Sequence, residues 1–463
     1  MPTVTRPTLA LASLLLVGLC AGCAHYAPKP LAPERSLAEL EQRRLTDPVV
    51  MNAVRDRTGG NASWGRAQLL VAALELNPSV REARATFAQG KAGLRTAREL
   101  QNPTISLSGE YDLTRAAESP WLWGLASTVL LDTFASHGLR IDLAQANLRG
   151  ARADFEEALW TVRRDLRAAL LATSVSARRV TALEQEQRGR SEFLRLARAR
   201  VAAGESPRSE TLQAELEWAR STAALEDARS TLLDSRAKLA AILGVSGVAL
   251  ADIEPQFEDL DAPLPVPAEA LGPLRERALL SRADLARAIA DYDARELDLR
   301  QQMSAQYLQT SLGPGYTYDH GVRKATLGGS IALPIFNRNQ GPIGEAMAAR
   351  EAAGQHVLTV QAGILNNIDG ARAAYSAALD ALQRARAQRI TSEALVQSTQ
   401  RALDVDAADR PTLLTAELSA STERLAELDA LDRAQQALGQ LEDALRTPLA
   451  GPEKDLRFLE VQE

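Results

Sequence analysis

The sequence predicts a mainly α-helical fold with four β-strands, arranged as two copies of one plan. Each half of the chain contains two short segments that alternate apolar and polar side chains, which is the period of a β-strand. A long helical segment follows each pair of strands, and a short break and a second helix follow it. Leu131–Gly244 also aligns without a gap on Leu333–Arg446, at an offset of 202 residues.

The two copies share residues in the strands, at the helix starts and at the helix breaks. Leu131 matches Leu333, and the triplet Ala214–Leu216 matches Ala416–Leu418. In an alanine-rich chain single identities arise by chance. A common order of elements at one fixed offset indicates internal duplication.

The N-terminus predicts export from the cytoplasm. Arg6 precedes the apolar run Leu9–Leu19, which is the pattern of a signal peptide. Small residues directly before Cys23 resemble a bacterial lipoprotein cleavage site, at which Cys23 becomes the acylated first residue. An ordinary signal peptide with an incidental cysteine is the alternative. We expect a signal peptide over residues 1–22 and a lipid-anchored tether with a short helix over 23–63.

Composition excludes several classes of protein. Cys20 and Cys23 are the two cysteines, so neither a disulfide framework nor a cysteine-based metal site is expected. Acidic residues outnumber basic ones, 59 to 53, and no basic patch indicates nucleic-acid binding. No phosphate-binding glycine loop, nucleophile elbow or metalloprotease helix occurs, so we predict no catalytic residue and no cofactor. Widely separated histidines predict no metal site: His25, His137, His320 and His356.

The four predicted strands suit a membrane. Their length and continuous apolar face are typical of a tilted transmembrane strand, and Trp121 and Trp123 would form an interfacial aromatic belt. An amphipathic hairpin on a soluble core is the alternative. An open sheet edge in lipid leaves backbone groups without hydrogen bonds, so four strands per chain require partner chains. The predicted strands are 103–112, 121–134, 306–318 and 324–336.

The long helices have the pattern of coiled coils. Val162, Leu166, Leu170 and Ala177 follow one another in steps of three, four or seven residues. A soluble antiparallel coiled coil is the alternative, but it leaves the strands unexplained. Long helices are predicted over 141–201, 208–244, 343–403 and 410–446, and shorter ones over 37–56, over 64–100 with a break at Pro78, and over 274–302.

A proline-rich stretch separates the two copies. The predicted organisation is a first repeat over 64–261, a linker over 262–273, a second repeat over 274–446 and a tail over 447–463.

The duplicated order of strand pair, long helix, break and return helix, behind a lipoprotein signal, resembles the TolC family of outer-membrane efflux channels. The resemblance covers nearly all of the mature chain. Its most specific local match is the first helix break, where Gly204 is followed by Glu210, Leu212 and Ala214. Glycine permits the turn out of the helix. The resemblance implies a periplasmic mouth that is lined by Glu210 and Gln213.

The second helix break departs from the family pattern. Asp406 replaces the glycine, and Thr412 stands where the acidic residue would be. Asp406 and Asp409 still place negative charge near the turn. These acids are either part of a gate or simply solvated helix ends.

The run Leu333–Ile343 is similar to a segment in the cobalt, zinc and cadmium efflux branch of the family. It predicts a strand-to-helix bend, with Asn339 as the helix cap. The similarity points to metal export, although the residues themselves are architectural. The predicted bend residues are Pro334, Asn337, Gly341 and Pro342.

The resemblance implies a homotrimer in which twelve strands close a β-barrel in the outer membrane and the long helices form an α-barrel in the periplasm. Ala24 follows Cys23 where an inner-membrane retention signal would have aspartate, so a lipid-anchored outer-membrane location is expected. The implied function is passive conduction from a periplasmic adaptor and an inner-membrane pump of the resistance-nodulation-division type. Heavy-metal cations are the favoured substrates, with drugs as a further class. The alternatives are a type I protein-secretion conduit and a periplasmic coiled-coil scaffold lipoprotein.

Overall fold

The computed structural model describes residues 26–59, 64–114, 119–130, 133–251, 253–263, 265, 268–307, 309–332 and 335–456. Cys23 and Pro334, two of the predicted functional residues, lie outside these ranges. The chain divides into two compact units, residues 1–43 and 44–463. In the described part of the first unit, helix α1 (Pro33–Gln42) begins at a proline, which suits the first helical turn.

The second unit contains the long helices and all four strands. The strands are β1 (Thr104–Tyr111), β2 (Trp121–Leu130), β3 (Gln309–Asp319) and β4 (Val322–Ala332). The helices are α2 (Pro48–Thr58), α3 (Arg66–Leu76), α4 (Pro78–Arg98), α5 (Thr133–Ala202), α6 (Arg208–Leu243), α7 (Ala268–Ser281), α8 (Ala283–Ser304), α9 (Gln340–Asp404) and α10 (Arg410–Leu445).

Several predicted boundaries are corrected by the structure. The helix predicted over 37–56 is two helices, α1 and α2. The strand predicted over 121–134 ends at Leu130, and α5 has begun by Thr133. The linker predicted over 262–273 is helical from Ala268 onwards, with Pro273 inside α7.

The helix predicted over 274–302 is also broken, at Arg282. This residue has an extended backbone, with ψ of 137°. Its guanidinium binds the Asp284 carboxylate at 2.6 Å and the Ala444 carbonyl oxygen at 2.6 Å. The break therefore depends on a contact with α10, which local sequence patterns do not reveal.

The four strands form one antiparallel sheet in the order β1-β2-β3-β4. Trp123 pairs with Tyr318, and Leu107 pairs with Leu125, so these side chains share a face. Leu107, Trp121 and Leu327 are exposed on this apolar face. The other face carries small and polar residues, among them Ser106, Ser108, Ala126, Ser311, Gly313, Thr317 and Ser330.

The helices form two long antiparallel hairpins. In the first hairpin α5 packs along α6, and in the second α9 packs along α10. The hairpins join where α5 contacts α10, and α5 also packs against α4 and α8. With 70 residues, α5 is about 105 Å long. The predicted fold class is confirmed: long helical hairpins continue from a small four-stranded antiparallel sheet.

One cluster of buried apolar side chains includes nearly all of helix α3. This helix is buried on nearly every side, and its leucines belong to the same buried cluster as Leu170 of α5 and Leu243 of α6. Asn77 ends α3 and caps α4, because its side chain accepts a hydrogen bond from the Ser79 backbone at 2.8 Å. The same side chain donates to the Ile242 carbonyl oxygen at 2.7 Å, which fixes the predicted break near Pro78 against α6.

Candidate functional site

The turn between α5 and α6 is built around Gly204. This residue has a φ of 75°, in the left-handed region that glycine enters without strain. Its N–H donates to the Val201 carbonyl oxygen at 3.0 Å, and the Glu205 N–H donates to the Arg200 carbonyl oxygen at 2.9 Å. These bonds satisfy carbonyl groups at the end of α5 and terminate the helix.

The turn between α9 and α10 repeats this geometry with a different residue. Asp406 has a φ of 55° and donates from its N–H to the Leu403 carbonyl oxygen at 3.1 Å. The Ala407 N–H donates to the Ala402 carbonyl oxygen at 2.7 Å, the counterpart of the Glu205 bond. Aspartate tolerates the left-handed region better than most residues. The replacement of glycine by Asp406 therefore adds charge while the turn is retained.

Glu210 holds the first hairpin together at its turn. Its carboxylate accepts a hydrogen bond from the Arg200 guanidinium at 3.0 Å, and Arg198 binds Glu215 at 2.8 Å. Both bonds link α5 to α6. The sequence reading identified Glu210 but missed its arginine partner, because the two residues pair across the turn.

Asp409 is the N-cap of α10. Its carboxylate accepts hydrogen bonds from the Thr412 hydroxyl and from the Thr412 backbone, the latter at 3.0 Å. These bonds, together with the positive charge of Arg200, hold the pKa of Asp409 below its usual value. A carboxylate at a helix N-terminus also interacts favourably with the helix dipole.

A cavity of about 380 Å³ lies between the two hairpins near their turns. Glu210 and Gln213 line it from α6, Phe193 from α5, and Leu418 and Thr415 from α10. The structure therefore brings the two predicted residues of the first turn to one cavity, whereas Asp406 is exposed at the second turn.

The predicted bend before α9 is only partly as expected. Gly341 and Pro342 lie in the first turn of α9, and Asn337 accepts a hydrogen bond from the Asn339 backbone at 2.8 Å. Asn339 occupies the N-cap position as expected, but its side chain makes no capping hydrogen bond and instead donates to the Gln302 carbonyl oxygen at 2.8 Å. It thereby ties the start of α9 to the end of α8.

Trp121 and Trp123 lie among tyrosines on the apolar face of the sheet. The Trp121 ring meets Tyr111 edge to face at 4.8 Å between centroids. Trp123 lies 5.5 Å from Tyr316 and 6.1 Å from Tyr318. The three tyrosines extend the predicted aromatic belt, and the strand register is what places them beside the tryptophans.

A group of buried charges joins the two repeats, and sequence reasoning missed it. In this buried ion cluster, Arg163 lies 2.7 Å from Glu442 and 3.2 Å from Glu453, and Arg167 lies 3.2 Å from Glu442. Arg66 reaches Glu453 at 3.2 Å. The sequence signal for this cluster is the pair of arginines, four residues apart, beside the apolar stripe of α5.

The pKa values of the two carboxyl groups in the buried ion cluster are shifted in opposite directions. Burial raises the pKa of Glu442, but the charges of Arg163 and Arg167 outweigh burial, so this pKa lies below its usual value. At Glu453 burial dominates over Arg66 and Arg163, and the pKa is raised. Glu442 is therefore the carboxylate whose charge the cluster stabilises most.

The described residues provide neither a membrane-spanning helix nor a cluster of metal ligands. No described helix contains an apolar stretch long enough to cross a lipid bilayer. Within the same residues, no three histidine, cysteine, aspartate or glutamate side chains converge on a point that could hold a metal ion.

The fold is that of outer-membrane channel proteins. VceC of Vibrio cholerae superposes with a TM-score of 0.68 at 19% identity, over 82% of this chain and 95% of that one. The MtrE outer membrane channel of Neisseria gonorrhoeae superposes with a TM-score of 0.68 at 18% identity, over 82% of this chain and 89% of that one. At these identities the likeness concerns the fold alone.

Sequence comparison matches part of the chain to a known family. Residues 69–245 match the outer membrane efflux protein family, which confirms the resemblance predicted from the sequence. The chain is 28% identical to the cobalt-zinc-cadmium resistance protein CzcC of Cupriavidus metallidurans. The aligned region has 231 residues and covers 49% of this chain. This chain spans about half of the length of CzcC, 52%. The matched family is one of efflux proteins and not of enzymes.

Proposed function

We propose that three copies of this chain form a passive channel through the outer membrane that continues as a helical duct in the periplasm. The observation that carries this proposal is the four-stranded sheet, which has one apolar and one polar face and continues into two long helical hairpins. Three such sheets joined edge to edge would satisfy the backbone groups of β1 and β4 and place the polar face towards water.

The same arrangement supports a tripartite export system. Long hairpins can receive solutes at their turns from a periplasmic adaptor and an inner-membrane pump of the resistance-nodulation-division type. The likeness to a cobalt-zinc-cadmium resistance protein favours heavy-metal cations as substrates. The acylated Cys23 would anchor each copy to the outer membrane outside the conduction path. Energy would come from the pump, because a passive duct needs no catalytic site.

The proposal is tested by purifying the full chain in detergent and measuring its mass and its conductance in planar bilayers. We expect a trimer and discrete single-channel steps. A monomeric protein without conductance would refute the channel and favour a scaffold lipoprotein instead.

The acids at the turns are expected to make the channel prefer cations. In an assembled trimer, Glu210, Asp406 and Asp409 would recur around the mouth, and a ring of negative charge concentrates cations locally. Changing Glu210→Gln, Asp406→Gly and Asp409→Asn together keeps the Arg200 contact, the left-handed turn and the helix cap. We expect the cation-to-anion permeability ratio to fall, as measured by reversal potential in a salt gradient.

The outcome separates two roles for these acids. An unchanged reversal potential at normal trimer yield would mean that they are solvated helix ends. The single variant Asp406→Gly serves as the matched comparison, because it gives the second turn the residue found in the first.

A further inference from the structure

The turn between β3 and β4 holds a histidine in a strained backbone conformation. His320 has a φ of 49°, in the left-handed region that few residues other than glycine enter. Its N–H donates to the Trp121 carbonyl oxygen at 3.2 Å, which holds the turn against the start of β2. Because glycine would adopt this backbone with less strain, the imidazole is a candidate for a function of its own.

A second contact of His320 determines which ring nitrogen can bind a ligand. Its Nδ1 atom lies 2.8 Å from the Ser119 carbonyl oxygen. A carbonyl oxygen only accepts hydrogen bonds, so Nδ1 carries the proton and donates it. In the neutral imidazole the lone pair is then on Nε2. Histidines that bind metal ions through one ring nitrogen are commonly oriented in this way, by donation from the other nitrogen to a backbone carbonyl.

A carboxylate lies within reach of the same nitrogen. The Asp319 Oδ1 atom is 3.9 Å from Nε2 of His320, and the two side chains are 31% and 27% exposed. Zinc bonds to nitrogen and oxygen ligands at about 2.0–2.2 Å, so two ligands of one ion are at most about 4.2 Å apart. One ion can therefore bridge Nε2 and Oδ1 with both atoms near the positions that they have in the structure.

We propose that His320 and Asp319 form a binding site for a divalent cation of the zinc type. An imidazole nitrogen together with a carboxylate oxygen is a ligand set that such ions accept, and water would complete the coordination. The wide spacing of the histidines does not argue against this site, because it needs only one of them. Among the described residues no third histidine, cysteine, aspartate or glutamate joins these two. The site should therefore bind weakly.

The proposed site lies at the end of the sheet remote from the long helices. β2 and β4 lead into α5 and α9, so the turn between β3 and β4 is at the other end. In the proposed channel this end would be the outer mouth of the barrel. Both ligands belong to one chain, so binding can be measured whatever the oligomeric state. A failure of this proposal and a failure of the channel are therefore distinguishable.

Calorimetric titration of the full chain with zinc, in detergent and without an affinity tag, tests the site. His320→Asn removes the imidazole but keeps a residue that tolerates the left-handed region, and Asp319→Asn removes the carboxylate charge. Each should weaken zinc binding by about tenfold or more, since losing a direct ligand costs at least as much as losing an outer partner. The matched control is His356→Asn, because this exposed histidine on α9 has no acidic residue within four positions.

Two further measurements test the ligand set. The Lys324 ammonium group binds the other carboxylate oxygen of Asp319 and competes with a cation. Lys324→Gln should therefore strengthen zinc binding, by up to about fivefold. Calcium should compete poorly with zinc, because calcium takes oxygen ligands.

Several outcomes would overturn the site. Absence of zinc binding to the wild type would do so, as would equal affinities of His320→Asn and His356→Asn. Weaker binding to Lys324→Gln, or equal competition by calcium, would also contradict the ligand set. If His320→Asn does not fold, as judged by circular dichroism, Asp319→Asn decides the question, because it leaves the contacts of His320 with Ser119 and Trp121 in place.

Discussion

Replacing Gly313 with valine is expected to abolish assembly of the proposed trimer. A side chain at Gly313 would lie 1.6 Å from the Ser127 carbonyl oxygen, an impossible distance, so β3 would have to separate from β2. The clash is with backbone, which cannot rotate away as a flexible side chain could. Because an unpaired strand leaves polar groups unsatisfied in lipid, we expect less than about one tenth of the wild-type trimer in outer-membrane fractions.

Gly109 provides the matched control. It lies in β1, and a side chain added there meets no other atom within 4 Å. Gly109→Val should leave the amount of heat-stable trimer on semi-denaturing gels nearly unchanged. Equal trimer yields from the two variants would show that β2 and β3 are not closely paired in the assembled protein.

A large loss of stability is expected when Glu442, the central acid of the buried ion cluster, is replaced. Glu442→Gln preserves size but leaves Arg163 and Arg167 buried with less negative charge. Removing one partner of a buried ion pair costs about 3–5 kcal/mol. The amide also cannot accept from the Leu449 and Ala450 backbones as strongly as the carboxylate, which binds them at 2.7 and 3.1 Å. The apparent thermal midpoint, followed by circular dichroism, should therefore fall clearly.

Glu417→Gln is the control for this variant. Glu417 is on the same helix and faces Arg410 at 3.9 Å, with both side chains more than a third exposed. Exposed ion pairs contribute about 0–1 kcal/mol to stability. The thermal midpoint of the Glu417→Gln variant should therefore hardly change. A similar shift for both variants would mean that the buried ion cluster does not stabilise the fold.

The effect of Glu442→Gln should depend on pH in a defined direction. The pKa of Glu442 is lowered in the folded protein, from an ordinary value of 4.5. Its charge therefore stabilises the fold fully above pH 4.5, and that contribution is lost as the pH falls through the lowered folded pKa. The difference in midpoint between wild type and variant should be greatest near pH 7 and shrink below about pH 4.5. A difference that grows on acidification would contradict this assignment.

Local patterns were sufficient to predict the order of elements and the turn at Gly204. The period-two alternation around Leu107 and Trp123 is a property of adjacent residues, and it predicts which side chains share a face of the sheet. The left-handed conformation of Gly204 likewise follows from the residue itself. At the second turn, the structure shows that the same backbone hydrogen bonds form with Asp406 in place of glycine.

The break at Arg282 and the side-chain partner of Asn339 could not be predicted in this way. Arg282 is extended because its guanidinium binds the Ala444 carbonyl, and Asn339 fails to cap because it binds Gln302. In each case a distant backbone carbonyl competes successfully with a local interaction. Propensity describes only the local interaction, and tertiary contacts override it.

The sequence by itself determined the duplication, the alternation of strands and long helices, and the family resemblance, because each is a pattern of residue spacing. Only the tertiary structure decided which helix of one repeat packs on which helix of the other. That choice depends on Arg163 and Glu442, which are 279 residues apart and meet only when α5 lies against α10. Burial then makes their pairing obligatory, because a guanidinium that has lost water must have a counter-charge.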